Sequence, residues 1–166
     1  MATVTLRRYK LSDAKKLYTI LNNPQFIYFS VKPKSIAAEK EYLKKSKVKW
    51  KDNLTKDFAI LYNGNLVGGI GLKIDQHRPY IGEVGYFIDE LFWKNGIATK
   101  AVALVEEKAK ALGISRITLL TDPRNKASIR VAQKSGFKKE GTMKKAVKDI
   151  HDKAKDVYLF AKIIKE

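Results

Sequence analysis

The sequence of 166 residues contains no cysteine, and this absence removes a whole group of chemistries. Disulfide frameworks, zinc sites built from thiolates, cysteine nucleophiles and dithiol redox centres all need that residue. No such staple is required, because 45% of the residues are hydrophobic and a chain of this size can bury a sizeable core. At roughly 100–200 residues per domain, the length predicts one domain over residues 1–166.

Long apolar runs and histidines are also scarce. No stretch approaches the roughly 20 apolar residues of a membrane-spanning helix, and the first ten residues lack the apolar segment of a signal peptide. We therefore expect a cytoplasmic protein with no membrane association. The only two histidines, His77 and His151, are isolated from each other in the sequence, so we expect surface residues and no metal site.

Negative charge is in short supply, because 17 Asp and Glu oppose 34 Lys and Arg and leave a net charge of +17. The basic residues are 28 lysines and 6 arginines. Arginine is the usual residue for bidentate recognition of phosphate or guanine, so the lysine excess indicates a solvated surface rather than a base-reading face. The field should nevertheless attract polyanions and repel polycations.

The hydrophobic pattern predicts an α/β (α+β) fold, with short helices inside a mainly antiparallel series of strands. Strands are predicted for residues 3–9, 58–62, 66–74, 80–88, 116–121, 137–143 and 157–164. Helices are predicted after the capping residues Ser12 and Asp13, over residues 35–47, between the loop 92–98 and Gly113, and over residues 125–135. The glycines at 68, 69 and 71 are followed by strand rather than helix, which favours a bulged strand over a dinucleotide-binding loop.

The strongest local feature is a strand, a short loop and a helix between residues 83 and 105. The first N–H groups of a helix have no partner within it and lie at the positive end of its dipole, so such an entry can bind phosphate. Gly96 and Ala98 are small enough for a pyrophosphate to approach the backbone, and Lys94 and Lys100 add positive charge. An ordinary strand-to-helix connection is the alternative interpretation of the same residues.

Four short motifs in this region occur in a recognisable order. They are EVGYFID at residues 83–89, WKNGIAT at 93–99, NKAS at 125–128 and KSGF at 134–137. Together they resemble the signature of the GNAT N-acetyltransferase superfamily, and more narrowly its branch of ribosomal-protein N-terminal acetyltransferases, RimJ and RimL. The element order is similar to that family over roughly residues 3–165.

This resemblance implies a mixed, mostly antiparallel central sheet with helices on both faces and acetyl-CoA between two splayed parallel strands. The binding residues it implies are Phe87 and Ile88 for pantetheine, Lys94, Asn95, Gly96, Ile97, Ala98 and Thr99 for the pyrophosphate, Asn125 for the pantetheine amides, and Ser128 near the sulfur. The sequence departs from the family at Trp93, where Arg or Gln is usual. More of the phosphate binding would then fall on backbone N–H groups and lysines.

The resemblance also suggests catalytic residues. Glu83 matches a strand position that carries the general base in some family members, and a solvated strand glutamate is the alternative interpretation. A loop glutamate proposed as base in the RimJ/RimL branch is Val147 here, so that role is missing or has moved to Asp149. The tyrosine that protonates the leaving thiolate in many members is Ala132 here, and Ser128 is the substitute acid.

The most specific hypothesis is an acetyl-CoA-dependent enzyme that acetylates a protein N-terminal α-amine by direct attack in a ternary complex. The positive charge favours acidic N-termini or a ribosomal-protein acceptor over polyamines. Two alternatives stay open: a basic ribosome- or RNA-binding module of the same fold, and acetylation of a small-molecule amine. The acceptor side is expected at residues 24–36 and 144–155, which include Tyr28, Phe29, Asp149 and His151, and we expect a monomer or a homodimer.

Overall fold

The chain alternates between strands and helices in an order close to the predicted one. The computed structural model describes residues 1–29 and 31–164. Within them the strands are β1 (Val4–Arg8), β2 (Thr55–Tyr62), β3 (Asn65–Ile74), β4 (Ile81–Ile88), β5 (Arg116–Thr121), β6 (Lys138–Lys148) and β7 (Ala154–Ile163). The α-helices are α1 (Ala14–Leu21), α2 (Ile36–Lys51), α3 (Ile97–Ala111) and α4 (Lys126–Lys134), with 3-10 turns at Leu11–Asp13 and Glu90–Phe92.

The strands form one sheet in the order β1-β2-β3-β4-β5-β7-β6. Every neighbouring pair is antiparallel except β4 and β5, which run parallel. The parallel pairing covers three residue pairs and stops at Glu83 and Thr118, although both strands continue beyond it. The predicted mixed sheet with a splayed parallel pair is therefore confirmed.

Helices cover both faces of this sheet, and β4 shows why. Alternate residues of a strand point to opposite faces. Val84 and Ile88 join the main core, to which α3 contributes Val102 and Val105. Phe87 instead packs against the buried residues of α1 and α2 on the other face.

The helix ends follow the usual capping chemistry except at the start of α1. Ser35 Oγ accepts the N–H of Ala38 and begins α2, and Gly113 and Gly136 adopt positive φ directly after α3 and α4. Asp13 occupies the N-cap position of α1, as predicted, but its side chain makes no cap hydrogen bond to that helix. The carboxylate of Asp13 instead binds the Arg7 guanidinium through two bonds of 2.7 and 2.8 Å and accepts the N–H of Lys10.

The glycines of β3 mark close contacts beneath α1 and α2, and the predicted bulge is confirmed. Val67 is the extra residue, because Ile60 pairs with Gly68 and the next residue of β2 pairs with Leu66. A Cβ atom at Gly69 would lie 2.7 Å from the Phe87 ring and collide with the Tyr9 hydroxyl. The missing side chains therefore let the residues below the helices approach the sheet.

The last two strands are longer than predicted, because their lysine-rich ends carry no apolar alternation. Their pairing shifts register between Met143 and Val147, which leaves a bulge at residues 144–146. The Asp156 carboxylate stabilises that bulge by accepting the Lys144 ammonium at 2.8 Å and the Lys145 N–H at 2.9 Å. Side-chain contacts from the partner strand thus extend a hairpin that hydrophobic periodicity does not reveal.

Candidate active site

The candidate site begins at the gap between β4 and β5. The register between β3 and β4 shows which backbone groups of β4 are already used. The N–H of Asp89, just after β4, donates to the Val67 carbonyl at 2.7 Å, and hydrogen-bonded pairs alternate along an antiparallel ladder. The hydrogen-bonded pairs with β3 therefore include the odd residues of β4, at positions 81, 83, 85 and 87. The N–H and C=O groups of the even residues therefore point towards β5. Beyond the last parallel pair, the groups on this free edge are the Val84 carbonyl and the backbone groups of Tyr86 and Ile88.

This alternation decides which of Phe87 and Ile88, both expected to bind pantetheine through the backbone, has free backbone groups. The backbone groups of Phe87 lie in the ladder with β3, so Phe87 offers no free backbone group to the gap. The residues on either side of it, Tyr86 and Ile88, turn their backbone groups towards the gap. The Ile88 carbonyl already accepts the indole N–H of Trp93 at 2.7 Å and retains one lone pair.

The loop from Trp93 to Gly96 leads the chain from β4 into α3. Trp93 stacks on Phe26 with ring centroids 6.0 Å apart, so it anchors the loop where the family usually has Arg or Gln. Lys94 and Gly96 both adopt positive φ, at 64° and 70°. The side-chain amide of Asn95 donates to the carbonyls of Phe92 and Trp93 at 3.0 and 3.1 Å, which closes the turn.

The first turn of α3 presents unpaired backbone donors. Gly96 precedes the helix and has no side chain to cap it. The N–H groups of Gly96, Ile97, Ala98 and Thr99 donate no hydrogen bond within residues 1–29 and 31–164. Four such donors at the positive end of a helix of 15 residues favour a negatively charged group. The exposed Lys94 and Lys100 side chains add positive charge beside them.

The start of α4 lies next to the same gap. Asn125 caps the helix, because its Oδ1 accepts the Ser128 N–H at 3.1 Å. Its Nδ2 group donates no hydrogen bond to the described residues and is available as a donor. The hydroxyl of Ser128 accepts a hydrogen bond of 3.3 Å from the phenol of Tyr86.

Tyr86 is a residue that the sequence reasoning missed. Burial raises the pKa of its phenol, which keeps it protonated. Alternation within EVGYFID could have placed it on the same face as Val84 and Ile88, but only the folded chain brings it to Ser128. Ala132, where many family members have a tyrosine, is completely buried one helical turn after Ser128.

A second buried polar group lies at the end of β5. The Thr121 hydroxyl oxygen is buried and has no hydrogen-bond partner among the described residues. It occupies the last residue of the strand that borders the gap. Buried hydroxyls normally have a partner, so an unpaired one at this position fits a site that is completed by a bound polar molecule.

Glu83 lies on the opposite face of the sheet from the Tyr86–Ser128 pair, as the alternation of β4 requires. It occupies the last residue pair before the gap opens, and its side chain is exposed. A Cβ atom added at the next residue on that face, Gly85, would meet no atom of the described residues within 4 Å. The gap thus lies between the Ser128 hydroxyl on one face of the sheet and the Glu83 carboxylate, beside the open space at Gly85, on the other face.

The two segments expected on the acceptor side have different roles. Phe29 packs on Phe87 with ring centroids 5.4 Å apart, while Tyr28 reaches across to donate to the Arg124 carbonyl at 3.3 Å. Residue 30, inside the first segment, lies outside the described residues. Asp149 organises the β6–β7 turn, since its Oδ1 accepts the N–H groups of Lys153 and His151. Those backbone bonds lower the pKa of Asp149, which makes it a poor base.

Charged side chains hold the end of β5 in place. The Arg124 guanidinium binds Asp122 at 2.9 Å, and this hydrogen bond is the main cause that holds the pKa of the Asp122 carboxyl far below its usual range. Lys155 of β7 binds the same carboxylate at 3.3 Å. His77 lies in the β3–β4 turn, where its N–H donates to Asp75. Among the described residues there is no metal-ligating cluster, and no helix is long and apolar enough to span a membrane.

Comparison with known proteins agrees with this geometry. Residues 3–138 match the family model described as an acetyltransferase (GNAT) domain. The chain is 32% identical to the probable N-acetyltransferase YjcK of Bacillus subtilis, over 88% of this chain and 86% of that protein. Among solved structures it resembles the ribosomal-protein-S5-alanine acetyltransferase of Vibrio fischeri, with 25% identity, a TM-score of 0.85, and 98% and 94% of the two chains covered. The microcin C7 self-immunity acetyltransferase MccE, solved with acetyl-CoA and AMP, shares the fold at 23% identity and a TM-score of 0.87, over 96% of this chain and 92% of that one.

Proposed function

Because the chain belongs to the GNAT acetyltransferase family and is an N-acetyltransferase, we propose that its donor is acetyl-CoA and its acceptor a protein N-terminal α-amine. The observation that carries the donor assignment is the set of four unpaired N–H groups at the start of α3. They suit a pyrophosphate, and the free edge of β4 leads from them towards Ser128. The unpaired hydroxyl of Thr121 at the neighbouring strand end fits the same ligand.

Each part of the site then has a task. Bound acetyl-CoA supplies an activated acetyl group as a thioester. The start of α3 binds the phosphates, and the edge groups of Tyr86 and Ile88 with the Asn125 amide hold the pantetheine arm. Glu83 accepts a proton from the acceptor amine through water. Ser128 donates a hydrogen bond to the sulfur that leaves as the new amide bond forms.

The acceptor assignment depends on charge and chemistry. A terminal α-amine has a pKa of about 7.7–8.0, so a useful fraction is already neutral at physiological pH and needs only a modest base. The net charge of +17 opposes approach of polyamines and lysine-rich tails. The similarity to an enzyme named for acetylating a ribosomal protein supports a protein acceptor.

Two glycines provide a matched test of the donor site. Gly96 and Gly113 flank α3, and both have positive φ (70° and 79°). In the part of the chain that the structure describes, a Cβ atom at either would meet nothing within 4 Å. Alanine therefore costs similar backbone strain at both positions, of about 1 kcal/mol. We expect calorimetric titration with acetyl-CoA to show a clear loss of affinity for Gly96→Ala and wild-type affinity for Gly113→Ala.

A titration with ATP at about 0.15 M salt is the control for general attraction of polyanions to a basic surface. Equal affinity of both variants for acetyl-CoA, or equal binding of ATP and acetyl-CoA with steep salt dependence, would contradict the donor assignment. RNA would then be the next ligand to test. The acceptor is tested with peptides of matched length and free N-termini, for which acidic sequences should be acetylated faster than basic ones at low salt. If spermidine or an amino sugar were acetylated faster than the peptides, the acceptor would be a small-molecule amine and not a protein N-terminus.

A further inference from the structure

The Ser128 hydroxyl contacts the phenol of Tyr86, and the Ser128 N–H is bound by the Asn125 side chain. From these contacts we infer that Tyr86 is a positioning residue for Ser128. Its phenol donates to Ser128 Oγ and so directs the remaining Ser128 proton into the gap, towards the leaving sulfur. This inference rests on the acetyl transfer proposed above. It assigns a further residue to the reaction. The phenol of this residue lies on strand β4, whereas the tyrosine of many family members would lie in α4, at the position of Ala132.

The position of the Tyr86 side chain follows from the strand. Tyr86 is two residues from both Val84 and Ile88, which are buried in the main core, so its ring points to the face covered by α3 and α4. Ser128 occupies the first turn of α4, where the Asn125 cap fixes its backbone. The oxygen atoms of the two hydroxyls are 3.3 Å apart.

The usual internal partner of a helical serine is already occupied. A serine hydroxyl in a helix commonly donates to the carbonyl four residues earlier, which is Arg124 here. That carbonyl accepts the Lys126 N–H at 3.0 Å and the Tyr28 hydroxyl at 3.3 Å, so both of its lone pairs are used. The Asn125 carbonyl, three residues earlier, accepts the Ile129 N–H at 3.1 Å.

The Ser128 hydroxyl donates no hydrogen bond to the described residues. The hydroxyl can donate one hydrogen bond and accept two, and Tyr86 fills one of the accepting positions. The phenol has no other partner among the described residues, and burial raises its pKa, so it keeps its proton at physiological pH and can donate it to Ser128. Ser128 is therefore left as the donor towards the gap.

The reaction step balances without moving the Tyr86 proton. The acceptor nitrogen forms a bond to the acetyl carbon, and the C–S bond breaks with its electron pair going to sulfur. The sulfur leaves as a thiolate that accepts the Ser128 hydrogen bond. The nitrogen loses one proton to Glu83 or water, and the thiolate takes one from solvent, which is feasible for a thiol with a pKa of about 8.5.

The test compares Tyr86→Phe with Tyr80→Phe, a control at an exposed tyrosine just before β4. Tyr86→Phe keeps the backbone edge groups, so KM for acetyl-CoA should stay at the wild-type value while kcat falls about tenfold. Tyr80→Phe should leave both unchanged. Ser128→Ala should lower kcat at least as much, and the double variant Tyr86→Phe/Ser128→Ala should be no slower than Ser128→Ala alone.

Three results would overturn the inference: unchanged kcat in Tyr86→Phe, independent losses that multiply in the double variant, or a rise in KM with kcat preserved. A wild-type protein that binds acetyl-CoA but acetylates no acceptor contradicts the proposed function instead. The contact is checked separately from turnover by the ¹³Cζ resonance of Tyr86. It should shift in Ser128→Ala and not in Gly113→Ala, and an unshifted resonance would also overturn the inference.

Discussion

Replacing Gly71 by alanine tests how α2 is attached to the sheet. Gly71 lies in β3 next to Asp57 of β2, and a Cβ atom there would lie 2.6 Å from Asp57 Oδ1. The next nearest atoms, in Asp57 and Thr55, are at ordinary distances of 3.8 and 3.9 Å. The carboxylate is therefore the one close obstacle to a methyl group at this position. It is buried and accepts the Ser46 hydroxyl of α2 at 2.7 Å.

The expected magnitude is a difference of two terms. Alanine in a strand interior is favoured over glycine by roughly 0.5–1 kcal/mol. Displacing the carboxylate weakens a hydrogen bond to a charged group, which is worth about 1.5–3 kcal/mol. We therefore expect Gly71→Ala to lower the free energy of unfolding by about 1–2 kcal/mol. In the Asp57→Ala background the obstacle is gone, so the same substitution should raise it by roughly 0.5–1 kcal/mol.

Urea unfolding followed by circular dichroism at 25 °C measures the free energy of unfolding of four proteins. They are the wild type, Gly71→Ala, Asp57→Ala and the double variant. The control is Gly85→Ala, at the cross-strand neighbour of Gly71 where a Cβ atom meets nothing within 4 Å, and it should be neutral or slightly stabilising. The reversal of sign between the two backgrounds is the decisive result. An equal loss for Gly71→Ala in both backgrounds would refute the reasoning, because the strain would then lie elsewhere in β3.

Three further outcomes follow from the same contacts. Burial raises the pKa of Asp57 above its ordinary 3.8, so the native state loses that proton later than the unfolded state. The stability of Asp57→Asn relative to wild type should therefore grow as the pH rises above 3.8, and a constant difference in urea midpoints would contradict this. Asn125→Ala should lower the free energy of unfolding by about 1 kcal/mol while Asn125→Asp keeps it, and equal losses would show that the cap does not stabilise α4. Trp93→Phe removes the donor to the Ile88 carbonyl but keeps an aromatic ring, so it should cost about 0.5–1.5 kcal/mol, whereas unchanged stability would mean that stacking on Phe26 suffices.

Sequence patterns predicted the elements best where burial alone determines them. The bounds of β5, Arg116–Thr121, agree with the prediction, and its residues alternate between buried and partly buried positions. Strand β6 extends to Lys148, five residues beyond the prediction, because Asp156 and the β7 ladder determine its end. The motif WKNGIAT likewise predicted the loop that leads into α3. The unpaired N–H groups at the start of α3 were predictable because they depend on local backbone geometry alone.

The side-chain partners in the site were not predictable in the same way. Which residues of β4 turn their backbone groups towards β5 depends on the register with β3, a contact between distant segments. For this reason the sequence motif pointed to Phe87 as a residue that binds pantetheine through its backbone, whereas Tyr86 lies on the free edge. The partnership of Tyr86 with Ser128 joins residues 42 positions apart and needs both the strand alternation and the placement of α4.

The short parallel pairing also divides the sheet for cooperative unfolding. Strands β1 to β4 form one antiparallel unit and β5, β7 and β6 another, and among the described residues three pairs join them within the sheet. The main core also joins them, because it contains buried residues of both units together with the buried side of α3. Amide protons on either side of the seam should then exchange through partial separation of the two units, with less protection than those inside each ladder. A ligand whose own amides bridge the gap would couple the two units, so saturation should slow exchange in β2 and β7 together, far from any atom it touches.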